Sequence, residues 1–209
     1  MSFDDAIRRC GLVAILRGVT PGEVTEVAEA LFAAGLRIVE VPLNSPDPFA
    51  SIALLAQNFA GRLVVGAGTV LDPADVDRLQ AAGGTLCVSP DCNPAVIIRA
   101  VSLGMVPLPG VFTPTEAFAA IRAGARNLKL FPAEAAGPVT VKAWRAVLPK
   151  DVRLLAVGGV TPANMQGWID AGVSGFGIGS NIYKPGMTAD DVAISAAAFM
   201  AGWQALQRS

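Results

Sequence analysis

Short apolar, β-prone runs recur along the whole chain. They start near residues 12 (LVAIL), 38 (IVEVPL), 63 (LVVGAG), 85 (TLCVS), 105 (MVPLPG), 127 (NLKLF), 153 (RLLAVGG) and 175 (GFGIG). Successive starts lie 20 to 26 residues apart, close to the shortest chain that can hold a strand, a loop, a helix and a return loop. The segments between them are Ala- and Leu-rich with helical patterning. Several open on an N-cap residue followed by proline at the first helical position, as at Thr20-Pro21, Asp72-Pro73, Thr113-Pro114 and Thr161-Pro162. Several end in glycine, at Gly35, Gly83, Gly104, Gly124 and Gly172, where a left-handed C-terminal cap would place it. The pattern predicts a single α/β domain over residues 1–209, a (β/α)8 barrel of the TIM type. Residues 2–10 form an extra helix plugging its N-terminal mouth, and 189–207 the closing helix. The alternative is a doubly wound open sheet. Its glycine fingerprint is not met, because the nearest match, Gly66-Ala67-Gly68-Thr69-Val70-Leu71, lacks the third glycine.

Composition narrows the chemistry. Sixteen Lys and Arg balance 17 Asp and Glu for a formal charge of −1, which argues against nucleic acid and against an anionic membrane surface as partners. The chain is 53% hydrophobic and 16% charged, against roughly 25% charged in ordinary globular chains, so an oligomer is expected. There is no histidine. That removes His-ligated metal sites, Ser-His-Asp triads and imidazole bases together, and neither metal nor cofactor is expected. Proton transfer falls to Glu, Asp, Lys, the single Tyr or water. Cys10, Cys87 and Cys92 form no CxxC pair and read as reduced, buried thiols. The opening residues are acidic, and no apolar run reaches the roughly 20 residues of a spanning helix. The expected compartment is the cytoplasm.

Barrels of this kind work at the C-terminal ends of their strands, and few polar residues fall there. In Asn127-Leu128-Lys129-Leu130-Phe131 the two leucines share one strand face and Lys129 takes the other. An inward Lys129 is partly desolvated, which favours the neutral amine that attacks a carbonyl carbon; alternatively it snorkels to the mouth and does nothing. In Ile38-Val39-Glu40-Val41-Pro42 the same alternation turns Glu40 inward, as a structural ion-pair partner or as an acid/base of raised pKa. Lys and Glu converging in one barrel favours chemistry. Glycine turns follow the last two strands, Gly158-Gly159-Val160-Thr161 and Gly177-Ile178-Gly179-Ser180-Asn181. They suit phosphate held by backbone N–H groups, or are merely tight turns. Arg17 and Thr69 follow strands one and three, where a guanidinium and a hydroxyl can bind carboxylate or phosphate oxygens. Their bland readings are a solvated charge and a helix cap, the latter a job Asp72 could do instead. Phe131 shares the face of Lys129 and could wall the carbonyl site. Trp144, Trp168 and Trp203 read as core or interface side chains.

Over essentially the whole chain these residues resemble the bacterial 2-keto-3-deoxy-6-phospho-sugar-acid aldolases, Schiff-base-forming class I barrels. The resemblance is carried in order by Ile15-Leu16-Arg17-Gly18, Val39-Glu40-Val41-Pro42-Leu43-Asn44-Ser45-Pro46, Gly66-Ala67-Gly68-Thr69-Val70-Leu71, Leu128-Lys129-Leu130-Phe131-Pro132, Ala156-Val157-Gly158-Gly159-Val160-Thr161-Pro162 and Gly179-Ser180. It implies that Lys129 forms the Schiff base and that Glu40 moves protons through water. It further implies that Arg17 and Thr69 hold the substrate's carboxylate end and that Gly159, Gly179 and Ser180 hold its phosphate. Pyruvate and glyceraldehyde 3-phosphate are the implied products, and a homotrimer the implied assembly. Asn44-Ser45-Pro46 and Val157, before Gly158, are similar to the branch acting on 6-phosphogalactonate derivatives, and are expected beside C4 of the substrate. Phe131-Pro132-Ala133-Glu134-Ala135 is more similar to the gluconate branch, so activity on that epimer or on both is the alternative. More distant rivals are a phosphate-binding barrel isomerase or epimerase with Glu40 as base, and a non-catalytic phospho-sugar-binding barrel in which Lys129 and Glu40 are an ion pair.

Overall fold

The computed structural model describes residues 1–207; residues 208–209, the end of the expected domain, lie outside the described residues. Nine parallel strands run β1 (Leu12–Ile15), β2 (Ile38–Pro42), β3 (Val64–Gly68), β4 (Leu86–Val88), β5 (Val106–Leu108), β6 (Gly110–Val111), β7 (Asn127–Leu130), β8 (Arg153–Val157) and β9 (Gly175–Ile178). Their order in the sheet is β5-β4-β3-β2-β1-β9-β8-β7-β6. The terminal members β5 and β6 are successive halves of one stave, split at Pro109. The first half pairs with β4 through Leu86–Val106 to Val88–Leu108, and the second pairs with β7 through Gly110–Lys129 and Val111–Leu130. Proline has no N–H to give a ladder, but its carbonyl still accepts from Lys129 N at 2.9 Å. Eight staves thus go round a (β/α)8 barrel.

Helices alternate with the staves: α1 (Phe3–Arg9), α2 (Val24–Ala34), α3 (Pro48–Asn58), α4 (Pro73–Ala81), α5 (Pro94–Ser102), α6 (Pro114–Arg122), α7 (Ala133–Arg145), α8 (Met165–Ala171) and α9 (Ala189–Leu206). Asp72 caps α4 by accepting from Ala74 N at 2.8 Å, and Thr113 and Glu116 form a capping box at α6. Two expected starts are later than the Thr-Pro signal. α2 begins at Val24 and α8 at Met165, because Pro21 and Pro162 lead into single turns first. In the first of these turns Glu23 Oε1 accepts from both Thr20 N and Thr20 Oγ1. In the second, Asn164 Oδ1 accepts from Thr161 N at 2.9 Å. All five expected C-terminal glycines have left-handed φ, from +70° at Gly104 to +112° at Gly35.

Strand alternation divides the apolar residues between two cores. Outward residues such as Val39, Val41, Leu128 and Leu130 join the helices in one continuous cluster, which also takes in Trp144, Trp168 and Trp203. Inward residues Val13, Ile38, Val64, Leu86, Val88, Leu108 and Leu155 fill the N-terminal half of the barrel together with Phe3, Ala6 and Ile7 of α1. The plug is therefore part of the interior. At the other end the inward positions include Gly66, Gly68 and Gly177, where a Cβ would run into Leu86, Glu40 and Val157. Of the thiols, Cys10 and Cys87 are buried and Cys92 is half-buried, a correction to the expectation for the last; all three are free. No helix among the described residues is long and apolar enough to cross a membrane.

Candidate active site

The open end holds a cavity of about 680 Å³. On β7, the outward packing of Leu128 and Leu130 forces Lys129 into the barrel, where it is 7% exposed. Its Nζ lies 4.6 Å from the centre of the Phe131 ring, a cation–π contact that leaves the amine without a full hydration shell. Burial pulls the Lys129 pKa down, a nearby Arg17 charge adds to that, and the Glu40 carboxylate opposes it. On β2, Val39 and Val41 pack outward and Glu40 turns inward at 2% exposure. Burial raises the Glu40 pKa to about 7, against the opposing pull of Lys129 and Arg17. Its Oε2 is buried with no hydrogen-bond partner among the described residues. Gly68 makes this placement feasible, since a Cβ there would run into the Glu40 carboxylate.

Arg17 and Thr69 line the same cavity. Asn44 Oδ1 accepts from Arg17 Nη1 at 2.6 Å, and Ser45 Oγ accepts from Gly18 N at 2.9 Å. The Asn44-Ser45-Pro46 turn thus holds the β1 loop. The turn is not itself among the residues lining the cavity, whereas Arg17 and Gly18, which it holds, are. Thr69 is no helix cap; Asp72 has that role. Its φ of +59° is left-handed, unusual for a β-branched residue, and strain of this kind gathers at functional sites.

The remaining expected residues, Phe131, Val157, Gly158, Gly159, Gly179 and Ser180, also line this cavity. The two glycine turns are tied together by Asn181 Nδ2, which donates to Val160 O at 2.9 Å. Gly158 and Gly159 have φ of +112° and +67°, a path that L side chains rarely follow. Two charged residues at the cavity wall are not among the expected site residues: Glu134 at the start of α7, and Lys184 beyond β9. Neither sits at a strand end, so alternation could not find them. Glu134 packs on the Gly158-Gly159 turn, where a Cβ on either glycine would collide with it.

A cavity with a desolvated amine, a buried carboxyl titrating near neutrality and an Arg at its rim can form and break a carbon–nitrogen double bond and move the protons this requires. Comparisons with known proteins agree with that chemistry. The KDPG and KHG aldolase family model matches residues 3–196. The chain is 50% identical over 195 residues to a probable 2-dehydro-3-deoxy-6-phosphogalactonate aldolase of Rhizobium meliloti (strain 1021), covering 93% of this chain and 92% of that protein. It is 47% identical over 193 residues to the 2-dehydro-3-deoxy-6-phosphogalactonate aldolase of Escherichia coli (strain K12), covering 92% and 94%. A solved structure described as native KDPGal superimposes with a TM-score of 0.93 at 46% identity, covering 95% of this chain and 96% of that one. The barrel, its inward Lys129 and Glu40, and a match along nearly the whole length make this chain a member of the KDPG and KHG aldolase family.

Proposed function

We propose that this chain is a class I aldolase that cleaves 2-dehydro-3-deoxy-6-phosphogalactonate to pyruvate and D-glyceraldehyde 3-phosphate. The observation that carries the reading is the placement of Lys129 and Glu40, both buried, in one cavity at the C-terminal end of the barrel. Neutral Lys129 Nζ attacks the C2 ketone, and loss of water leaves a protonated imine. Glu40, through water, takes the proton of the C4 hydroxyl. The C3–C4 bond then breaks, its electron pair moving toward the imine nitrogen to give an enamine and the free aldehyde. Protonation at C3 and addition of water release pyruvate and restore the amine. The imine acts as electron sink, so the scheme calls for no metal. Arg17 and Thr69 bind the substrate carboxylate, Phe131 walls the imine, and Gly159, Gly179 and Ser180 offer N–H groups to the phosphate. Val157 and Gly158 border the carbon chain between the two ends.

The galactonate epimer is favoured over the gluconate one because both relatives at 47–50% identity carry the galactonate name, and because Val157 offers no hydroxyl to a C4 oxygen. The chain works in the cytoplasm as a homotrimer. Three free thiols suit a reducing compartment. Leu71, Ile98, Val101 and Phe112, each 43–56% exposed on α5 and the loops beside it, suit an interface. Borohydride reduction in the presence of pyruvate tests the central claim: one pyruvate-derived adduct is expected, on Lys129, and an adduct that persists in Lys129→Ala would sink it.

A further inference from the structure

Among the described residues, three cations line the cavity: Arg17, Lys129 and Lys184. In the proposed function the first two serve the pyruvate end, Arg17 at the carboxylate and Lys129 as the positively charged imine at C2. The phosphate monoester carries about −1.5 to −2 at neutral pH, and the groups so far assigned to it are uncharged backbone N–H donors. On one flank of those donors stands an anion, since Glu134 packs on Gly158 and Gly159. A carboxylate there adds repulsion, not balancing charge, at the phosphate. The counter-charge must come from the other flank, where Gly179, Ser180, Asn181 and Lys184 line the cavity.

The segment carrying Lys184 is fastened on both sides. Ile182 N and Tyr183 N donate to Gly179 O at 2.9 and 3.1 Å, and Lys184 O accepts from Met187 N at 3.1 Å. Tyr183 is 2% exposed, and its hydroxyl donates to Glu23 Oε1 at 3.0 Å, anchoring the loop to the turn before α2. Pro185 packs on Gly18, whose φ of +84° and lack of a Cβ allow the approach. Lys184 itself is exposed and makes no salt bridge among the described residues. It is a cation held beside Gly179 and Ser180 with its charge uncommitted.

We propose that Lys184 is the charge partner of the substrate phosphate and the residue that makes this aldolase prefer phosphorylated over unphosphorylated keto-deoxy sugar acids. The proposal rests on the aldolase reading and adds to it the source of phosphate selectivity. The test compares kcat/KM for the 6-phosphorylated substrate and for its unphosphorylated counterpart in wild type, Lys184→Ala and Lys184→Arg. In Lys184→Ala the ratio of the two is expected to fall roughly tenfold, the size of one charge-assisted contact. The fall appears chiefly in KM. Lys184→Arg, which keeps the charge, restores most of it, and competitive inhibition by inorganic phosphate weakens in the alanine variant alone. An unchanged ratio, or an equal loss on both substrates, would overturn the proposal. Borohydride trapping of pyruvate needs no phosphate and so separates the two levels. Labelled wild type with an unchanged ratio defeats only the Lys184 assignment, whereas unlabelled wild type defeats the aldolase reading and Lys184 with it.

Discussion

Glu40 is a carboxyl group at 2% exposure with one oxygen that has no hydrogen-bond partner among the described residues, and its ionised form is accordingly disfavoured in the folded barrel. The folded pKa of about 7 lies above the ordinary 4.5, so between these values the folded protein holds a proton that the unfolded chain releases. The stability attached to this proton is fully present below pH 4.5 and is lost as pH rises to about 7. Wild type should therefore lose about 3 kcal/mol relative to Glu40→Gln across that window, measured as unfolding of both proteins by denaturant at pH 4.5 and pH 8. At neutral pH the same variant should fold normally yet cleave about two to four orders of magnitude more slowly, the range for a positioned acid/base. Normal cleavage in Glu40→Gln would make Glu40 a structural partner of Lys129. Gly68→Ala pushes a methyl group into the Glu40 carboxylate and should lower kcat at least roughly tenfold, a displaced acid/base forfeiting part of that same range. A normal kcat would mean that the carboxylate can move aside without consequence. Val157 lines the cavity at 6% exposure. Val157→Thr adds a donor at nearly constant volume, so the kcat/KM ratio should move toward the gluconate epimer by roughly 1 kcal/mol, one hydrogen bond's worth. No movement, or movement toward galactonate, would remove this residue from the epimer choice.

At the scale of elements, α1 owes its place to three apolar side chains, Phe3, Ala6 and Ile7, that complete the interior at the N-terminal end. Phe3→Ala should destabilise the fold by about 3–5 kcal/mol, as for a large core truncation. It should leave kcat within about twofold of wild type, since a factor of two at the distant open end is under 0.5 kcal/mol of barrier. A matching loss of activity in protein that is still folded would mean that the plug shapes the reacting end. The spacing of apolar runs made the alternation of strands and helices legible, and the Asp72-Pro73 and Thr113-Pro114 signals marked true helix starts. The same signal at Thr20 and Thr161 marked a turn instead, because polar side chains at Glu23 and Asn164 satisfy the local N–H groups before the helix begins. The split of stave five at Pro109 was equally out of reach. A proline in an apolar run shows that one ladder bond is missing, and only closure of the sheet shows which neighbour each half takes.

For the whole molecule, the exposed Leu71, Ile98, Val101 and Phe112 are the surface that we propose for the trimer implied by the family resemblance. Ile98→Glu should convert a particle with the mass of three 21.4-kDa chains into a single chain by light scattering, with Lys129 still trapped by pyruvate. A wild type that already runs as one chain refutes the trimer. Inward alternation pointed to Lys129 and Glu40 from sequence alone, because strand geometry has a period of two and their neighbours are apolar. Sequence also determined the absence of histidine, and with it the turn to amine and carboxyl chemistry. Tertiary structure decided what lies beyond nearest neighbours: that a cavity remains at one end, because glycines line it while branched side chains and α1 fill the other. It also joined Asn44 to Arg17 by a hydrogen bond, and put Glu134 and Lys184 on the cavity wall from a helix start and a loop with no period to reveal them. Local pattern fixes which way a strand residue points. Which residues meet across a barrel depends on closure and loop path, and these are set by contacts between segments far apart in the chain.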